Sequence, residues 1–318
     1  MAKSILLVKT SSLGDVIHVL PAISDIRLAC AGASIDWVVE QPYSAVAHMH
    51  PAVSDVIPVA IRRWRGALCQ HNTRDEIAVF LRRLRGHSYD AIVDAQGLFK
   101  SAAVALAARG RRYGLDFHSS REPLALFYHR TFRISWQLHA VERNRLLLAH
   151  ALGYELPQHL NYGISAAPRR FDWLHADNYA VMLHATSGDY KLWPEQNWIA
   201  LGCAMNASGT CCILPWGSEV ERARGERIAA GMRAAIVPPA LSLDDLAALF
   251  AGARQVTGVD TGLTHLAAAL GVPTVGIFCA TDPAATGLYG CPRAVNLGGV
   301  GQVPDVGQVM TAAETLST

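Results

Sequence analysis

The stretch ILLVKTSSLGDVIHVLPAI, residues 5–23, decides the fold of the first half of the chain. Four apolar residues are followed by a short polar loop, after which apolar residues recur at helical spacing. This pattern predicts a strand, a tight loop and a helix over 15–29. Asp15 lies where the loop turns into the helix, directly after Gly14. A carboxylate there is either a helix cap or a group that does chemistry, and its neighbours in the sequence leave both interpretations open.

Length and composition indicate a globular protein of two domains. The chain has 318 residues, of which 51% are hydrophobic and 17% are charged, and single domains usually hold roughly 100–200 residues. No apolar run approaches the roughly 20 residues that a membrane span needs. Seven scattered cysteines without a CxxC pair are typical of reduced thiols, so we expect a cytoplasmic protein.

Strand-like and helix-like segments alternate in both halves, which is typical of parallel sheets covered by helices on both faces. Strands are predicted within 5–10, 34–40, 53–61, 89–95, 179–185, 210–216, 234–239, 253–260 and 273–278. The predicted helices include 101–109. We therefore predict an α/β protein with two Rossmann-like doubly wound domains facing a cleft. The predicted domains are 1–155 and 175–318, joined by a linker at 156–174 that is irregular and contains glycine and proline.

The first half is basic and the second is acidic. Residues 1–159 carry 19 Lys/Arg against 13 Asp/Glu, whereas residues 160–318 carry 9 against 13. Arginine forks suit phosphates and carboxylates, so the first half is predicted to meet an anionic ligand, although each cation could instead lie on a solvated face. Nucleic acid is not expected, because the net charge is only +2 and no recognition module is visible. The cations that follow predicted strands are Arg62, Arg63, Arg65, Lys100 and Arg121.

The second half contains a possible diphosphate site. At 258–275 a strand runs into Asp260-Thr261-Gly262 and then a helix, whose free N–H groups and dipole suit an anion. Asp260 or Thr261 could instead only cap that helix. His265 could reach the same ligand or could be a packed core histidine.

Two further strand ends in this half carry polar side chains. Lys191 lies in a loop with the hydroxyl donors Thr186 and Ser187, and it is either a ligand contact or a solvated surface lysine. Glu221 follows another strand, where it could accept hydrogen bonds from a ribose or be an ordinary first-turn carboxylate.

Common nucleotide-binding signatures are missing from the chain. The first strand is not followed by GxGxxG, and no GxxxxGK[ST] occurs, which disfavours a dinucleotide oxidoreductase and a P-loop kinase. No Asp-x-Asp pair is available to hold a metal–diphosphate complex. We therefore expect neither a metal site nor a cofactor.

Eight motifs are spread in order along the chain: KTSSLGDVIHVLPA, PVAIRRWR, DAQGLFKSA, REPLALFYHR, HAVERNR, LHATSGDYKLWP, LPWGSEVE and GVDTGLTHLAAAL. Together they resemble the lipopolysaccharide heptosyltransferase I family, glycosyltransferases of family 9 with the GT-B architecture of two Rossmann-like domains. The resemblance runs from residue 3 to about 283, and IRRWR and REPLALFY go beyond the general heptosyltransferase pattern.

The resemblance implies a reaction and its location. L-glycero-D-manno-heptose would pass, with inversion, from ADP-heptose to the inner Kdo of Kdo2-lipid A. The N-terminal domain would take the lipid-linked acceptor and the C-terminal domain the donor. The enzyme would act without a cofactor at the cytoplasmic face of the inner membrane, in peripheral contact with it.

Residue roles follow from the same resemblance. Asp15 resembles the catalytic base, and Lys191 resembles a catalytic group at the donor phosphates. The other residues that resemble donor contacts are Thr186, Ser187, Glu221, Asp260, Thr261, Gly262, Leu263 and His265. The residues that resemble acceptor contacts are Arg62, Arg63, Arg65 and Arg121, and Lys100 is predicted to join them.

One departure and two rival interpretations remain. Many relatives read GPTDP where this chain has Cys279-Ala280-Thr281-Asp282-Pro283, and losing the glycine could change the approach of the backbone to the donor. The first rival is a heptosyltransferase II or III type enzyme with another core acceptor. The second is a non-catalytic sugar-nucleotide binding protein on the same fold.

Overall fold

The computed structural model describes residues 3–317 and divides the chain into two compact units. The division falls between Ile164 and Ser165, inside the segment 156–174 that the sequence assigns to a linker. Each unit is built on a six-stranded sheet in which every pairing between named strands is parallel. The predicted α/β class with two doubly wound domains is confirmed.

The first unit has the strand order β3-β2-β1-β4-β5-β6. Helices connect most of its strands. Two 3-10 turns also lie in the connections, one at Gln41–Tyr43 and the other at Ala125–Phe127. Its elements are β1 Ser4–Val8, α1 Leu13–Ala29, β2 Ser34–Glu40, α2 Ser44–His48, β3 Val53–Val59, α3 Ile61–Arg65, α4 His71–Arg85, β4 Ser88–Asp94, α5 Phe99–Ala107, β5 Arg109–Leu115, β6 Arg130–Phe132 and α6 Ala140–Leu152.

The second unit repeats this architecture with the order β12-β11-β10-β7-β8-β9. A 3-10 turn at Asp189–Lys191 follows its first strand. Its elements are β7 Tyr179–Leu183, α7 Glu195–Ala207, β8 Cys211–Ile213, α8 Glu219–Ala230, β9 Ala235–Ile236, α9 Leu243–Gly252, β10 Gln255–Val259, α10 Gly262–Ala269, β11 Thr274–Phe278, α11 Pro283–Thr286, β12 Ala294–Gly298 and α12 Val306–Ser317.

Strand β1 shows why the sequence forms these sheets. Its residues Ile5 to Val8 are all fully buried, because helices cover both faces of a parallel sheet and a polar residue has no place on either side. Leu7 lies opposite Trp37 of β2 on one edge and Val93 of β4 on the other. The strand is therefore enclosed on four sides, which accounts for its continuous apolar run.

The segment 109–115 corrects the prediction of a helix over 101–109. Helix α5 ends at Ala107, and Arg109 begins strand β5. This strand, RGRRYGL, lacks the apolar run of β1, so its sequence gives no strand signal. Gly110 is required here, since a Cβ at that position would lie 2.2 Å from the carbonyl oxygen of Tyr89. The strands β6 and β12 and the helix α12 were also not predicted.

A buried ion pair joins α1 to α6. Arg145 donates from Nε to Oδ2 of Asp25 at 2.8 Å and from Nη2 to Oδ1 at 3.2 Å. Both side chains are almost completely buried. Arg145 also donates to Glu142 and to the carbonyl of Pro157 at 2.6 Å. One guanidinium therefore connects two helices and the segment that leads out of the first unit.

We expect Arg145→Met to lower the free energy of unfolding by about 3–5 kcal/mol, because it leaves the buried Asp25 carboxylate without its partner. Denaturant unfolding of the purified protein measures this. The matched control is Arg83→Met, which breaks the half-exposed pair with Asp55 and should cost about 1 kcal/mol or less. Equal losses in the two variants would contradict the role given to the buried pair.

Candidate active site

Three neighbouring strands of the first unit end in charged side chains. Lys9 follows β1, Glu40 ends β2 and Asp94 ends β4. Because these strands are parallel neighbours, their carboxyl ends meet at one edge of the sheet, where ligands of such sheets bind. All three side chains are buried, so the charges are held at this edge by the fold.

Asp15 is both a cap and an accessible carboxylate. Helix α1 begins at Leu13, two residues earlier than predicted, with Ser12 as its N-cap. The backbone N–H and the hydroxyl of Ser12 donate to Oδ2 of Asp15 at 2.9 and 3.2 Å. The other oxygen, Oδ1, lies 3.8 Å from Nζ of Lys9, and the Asp15 side chain is 37% exposed. Capping therefore uses one oxygen and leaves the carboxylate reachable from solvent.

Lys9 was not predicted as a site residue. Its side chain is buried, and Nζ donates to the carbonyl of Ala95 at 2.9 Å. Burial lowers the pKa of Lys9, while the charges of Asp15 and Asp94 act in the opposite direction. Its position directly after a buried strand, in VKTSS, was the available signal.

The predicted acceptor residues separate into two kinds. Nζ of Lys100 donates to the hydroxyl of Ser11 at 2.6 Å, and burial lowers the pKa of Lys100, with Arg62 and Arg65 adding repulsion. Arg63 instead forms a two-pronged ion pair with Glu76 at 3.0 and 2.7 Å. Arg62 and Arg65 therefore lie close enough to act on Lys100, whereas the guanidinium of Arg63 is paired with Glu76 of α4.

Glu40 holds the start of α3, the helix that carries these arginines. The backbone N–H groups of Ile61 and Arg62 hydrogen-bond to its carboxylate, yet burial dominates and raises the pKa of Glu40. Its Oε1 has no hydrogen-bond partner within residues 3–317. The sequence did not identify Glu40, since a glutamate at the end of a strand has no distinctive pattern.

Arg121, predicted from the sequence, has a second arginine as a neighbour. The guanidinium of Arg143 lies 3.5 Å from the ring centre of Trp136 and donates to the carbonyl of Ser119 at 2.7 Å. Burial, with the nearby charge of Arg121, lowers the pKa of Arg143 to about 10. Both arginines also act on Lys9, so the sheet edge around Asp15 is strongly positive.

In the second unit the predicted donor residues form one cluster around Asp260. Nζ of Lys191 lies 2.6 Å from Oδ2 of Asp260, and the hydroxyl of Thr281 donates to the same oxygen at 2.8 Å. The hydroxyl of Thr186 donates to the backbone carbonyl of Asp260 at 2.8 Å. Nε2 of His265 lies 3.7 Å from Oδ1. Lys191, 69 residues away in the sequence, is thus placed against the strand end that carries Asp260.

The charge of Asp260 is firmly held. Burial acts to raise the pKa of this carboxyl, but hydrogen bonds from His265, Lys191 and Thr281 outweigh burial and keep the pKa well below its ordinary range. Asp260 is therefore an anion near neutral pH, and it forms an ion pair with Lys191.

The start of α10 has the geometry that the sequence suggested. Thr261 is the N-cap in extended conformation and Gly262 is the first helical residue. Leu263 is partly exposed and His265 is buried. The backbone N–H groups of this first turn come directly after Asp260, so an anion here would lie beside Lys191.

The remaining predicted donor residues lie at neighbouring strand ends. Ser187 is exposed in the loop after β7. Glu221 accepts a hydrogen bond from the N–H of Gly217 at 2.6 Å and lies in the first turn of α8, as an ordinary first-turn carboxylate does. In the segment that departs from the GPTDP pattern, Cys279 is buried and Thr281 binds Asp260.

Within residues 3–317, no group of three or more His, Cys, Asp or Glu side chains is arranged to hold a metal ion. No helix in this part of the chain is long and apolar enough to cross a membrane.

Curated relatives match nearly the whole chain. It is 46% identical over 293 residues to lipopolysaccharide heptosyltransferase 1 of Salmonella typhimurium, covering 90% of this chain and 91% of the relative. It is 49% identical over 292 residues to the enzyme of the same name from Pseudomonas aeruginosa, covering 90% of this chain and 81% of the relative.

A solved structure and a family model agree with these relatives. The E. coli heptosyltransferase WaaC with ADP superposes with a TM-score of 0.90 and 42% identity, covering 98% of this chain and 99% of that one. The family model for glycosyltransferase family 9 (heptosyltransferase) matches residues 77–313. The chain therefore belongs to glycosyltransferase family 9, the heptosyltransferases.

Proposed function

We propose that this heptosyltransferase transfers L-glycero-D-manno-heptose, with inversion, from ADP-heptose to the inner Kdo of Kdo2-lipid A during synthesis of the lipopolysaccharide inner core. The observation that carries the proposal is the 42% identity, over 98% of this chain, to a heptosyltransferase solved with ADP and with ADP-2-deoxy-2-fluoro heptose. The Asp15 edge of the first unit and the Lys191–Asp260 cluster of the second supply the two chemical functions that such a transfer needs.

The transfer is a direct displacement at the anomeric carbon. The acceptor hydroxyl oxygen bonds to that carbon while the bond to the diphosphate breaks, and ADP leaves with the bonding electrons. The hydroxyl proton passes to a general base as the new bond forms. Asp15 is assigned this role, because its Oδ2 is fixed by Ser12 and its side chain is reachable from solvent.

The departing ADP develops negative charge that must be stabilised. Lys191 and the N–H groups at the start of α10 are assigned to the diphosphate, where fixed donors are most effective. Since Lys191 is paired with Asp260 at 2.6 Å, the diphosphate would have to take the ammonium from that carboxylate. Thr186 and Ser187 would add hydroxyl donors, and Glu221 would contact the nucleoside.

The acceptor is assigned to the basic edge of the first unit. Kdo2-lipid A carries phosphates and carboxylates, and Arg62, Arg65 and Lys100 lie together there. Arg121 and Arg143 extend the positive charge. Arginine forks bind such groups with two hydrogen bonds each.

A peripheral contact with the cytoplasmic face of the inner membrane belongs to the same proposal. Between β4 and α6 the first unit exposes large apolar side chains, among them Phe99, Phe117, Leu126 and Trp136, and Leu126 is 85% exposed. Exposed apolar side chains beside cations are typical of protein surfaces that lie against anionic lipid. The enzyme would then meet its acceptor where the lipid is held.

ADP release in the presence and absence of Kdo2-lipid A tests the proposed function. We expect release to depend on this acceptor and to produce a product larger by one heptose, measured by mass spectrometry. A requirement for an acceptor that already carries heptose would indicate a type II or III enzyme. Donor binding without any transfer would indicate a sugar-nucleotide binding protein.

We expect Asp15→Asn to lower kcat by roughly 10² to 10⁴, the usual contribution of a general base. Asparagine keeps a side-chain oxygen that can accept from Ser12 and loses only the charge in the first turn, so the free energy of unfolding should change by about 1 kcal/mol or less. ADP-heptose binding, measured by calorimetry, should be retained because the donor residues lie in the other unit. A stable variant with more than a third of the parental turnover would leave Asp15 as a cap only.

We expect Lys191→Met to lower kcat by about 10² to 10³, because the charge that forms on ADP loses its cation. The matched control is Arg233→Met, an exposed cation of the same unit that precedes β9 and so lies at the amino ends of the strands. That variant should keep parental turnover. Comparable turnover in the two variants would remove Lys191 from the mechanism.

We expect Arg62→Met to raise KM for Kdo2-lipid A more than Arg63→Met does, because Arg63 is engaged by Glu76 whereas Arg62 acts on Lys100. Steady-state kinetics with each substrate varied in turn measure this. KM for ADP-heptose should stay within about twofold in both variants, since neither arginine is in the donor unit. A larger rise in the acceptor KM of Arg63→Met would show that its pair with Glu76 opens for the acceptor.

A further inference from the structure

Lys9 is a buried lysine at the sheet edge that carries Asp15, and the proposed function gives it no role. Contacts at the ends of three strands fix its position. It follows β1, Nζ donates to Ala95 after β4, and its backbone carbonyl accepts from Nε1 of Trp37 in β2 at 3.0 Å. A buried ammonium is costly unless it is paired, so the identity of its anionic partner is informative.

Two carboxylates and two arginines act on Lys9 electrostatically: Asp15, Asp94, Arg121 and Arg143. The carboxylate of Asp94 already accepts hydrogen bonds from the hydroxyl of Tyr128 at 2.8 Å and from two backbone N–H groups. The carboxylate of Asp15 has its Oδ2 occupied by Ser12 and its Oδ1 at 3.8 Å from Nζ. The ammonium therefore faces the free side of the proposed base.

We propose that Lys9 is a positioning residue for Asp15, whose ammonium orients Oδ1 of the carboxylate that takes the acceptor proton. This rests on the base role proposed for Asp15. Ser12 donates to Oδ2 and the ammonium of Lys9 lies 3.8 Å from Oδ1, so different groups act on the two oxygens and favour one orientation of the carboxylate. The acceptor proton ends on Asp15, and Lys9 keeps its own protons throughout the transfer.

The contact between Lys9 and Asp15 is local. The ammonium lies 3.8 Å from Oδ1 of Asp15, and burial of Lys9 weakens the screening of its charge by salt. Removing the charge should therefore act on turnover through Asp15, and the effect should largely disappear when Asp15 is itself replaced.

A merely structural lysine would behave differently. If Lys9 only ties β1 to β4 through Ala95, its loss would lower stability and act on turnover by the same factor whether or not Asp15 is present. The coupling between the two side chains, measured by the double-mutant cycle, therefore separates the roles.

The experiment compares Lys9→Met in the parental and Asp15→Asn backgrounds, with Lys3→Met as the matched control. Lys3 precedes the same strand, and its Nζ donates to the carbonyl of Leu152 at 2.6 Å, at the opposite end of β1. Transfer to Kdo2-lipid A is measured by steady-state kinetics with each substrate varied, ADP-heptose binding by calorimetry, and folding by thermal unfolding. Lys9→Gln, which keeps a donor for Ala95, replaces Lys9→Met if that variant does not fold.

We expect Lys9→Met to lower kcat about tenfold or more, within the range of coupling between side chains in contact, and to leave both KM values within about twofold. ADP-heptose binding should stay within about twofold, and Lys3→Met should match the parent. In the Asp15→Asn background, Lys9→Met should change kcat less than threefold.

An equal loss of turnover in both backgrounds would overturn the role of Lys9 while Asp15→Asn keeps its low turnover. An Asp15→Asn enzyme with near-parental turnover would instead overturn the proposed base and the partner assigned to Lys9. The two failures are distinguishable because the Asp15→Asn variant keeps near-parental turnover only in the second.

Discussion

Enclosure of β1 is the constraint on which the first unit depends. The strand is covered on both faces and hydrogen-bonded on both edges, so polar groups are accommodated only beyond its carboxyl end. Lys9, Ser12 and Asp15 all lie in the few residues after that end. The same enclosure holds for β10, whose five residues are all buried, and Asp260 and Thr261 follow it. In each unit the candidate site residues are concentrated at a strand end because the strand itself has no room for polar groups.

The two units share an architecture but differ in the charges at their strand ends. Around Asp15, cations outnumber carboxylates, with Lys9, Lys100 and Arg143 all shifted in pKa by burial. In the second unit, the single carboxylate of Asp260 accepts a hydrogen bond from the hydroxyl of Thr281 and forms an ion pair with the ammonium of Lys191. An excess of cations suits an acceptor with many negative groups. A neutral, tightly bonded cluster suits a ligand with one diphosphate at a defined position.

Much of the fold could be predicted because apolar runs and helical spacing report directly on burial. Strand β1 and its neighbours were found in this way. Strand β5 was not found, because it contains arginines and glycines rather than an apolar run. It is stabilised by contacts with neighbouring strands, such as the close approach of Gly110 to Tyr89.

The site was predictable only in part. Asp15 and Lys191 stand out at strand ends, and the motif resemblance gave them roles. Charge alone did not distinguish Arg63 from Arg62, since the difference lies in Glu76, 13 residues further along the chain. Lys9 and Glu40 were missed because their importance comes from burial and from what faces them, which a single sequence does not record. Long-range partners are a property of the folded chain.

If Lys191 binds the donor diphosphate as proposed, its ion pair with Asp260 has a consequence for selectivity among the anions of the cell. The ammonium already has a partner at 2.6 Å, supported by Thr281. A small ion such as inorganic phosphate would have to displace that carboxylate in exchange for one contact. A nucleotide brings a base, a ribose and two phosphates, and its many contacts together would offset the exchange. The internal carboxylate would then act as a resident competitor that disfavours abundant simple anions relative to a ligand large enough to replace it.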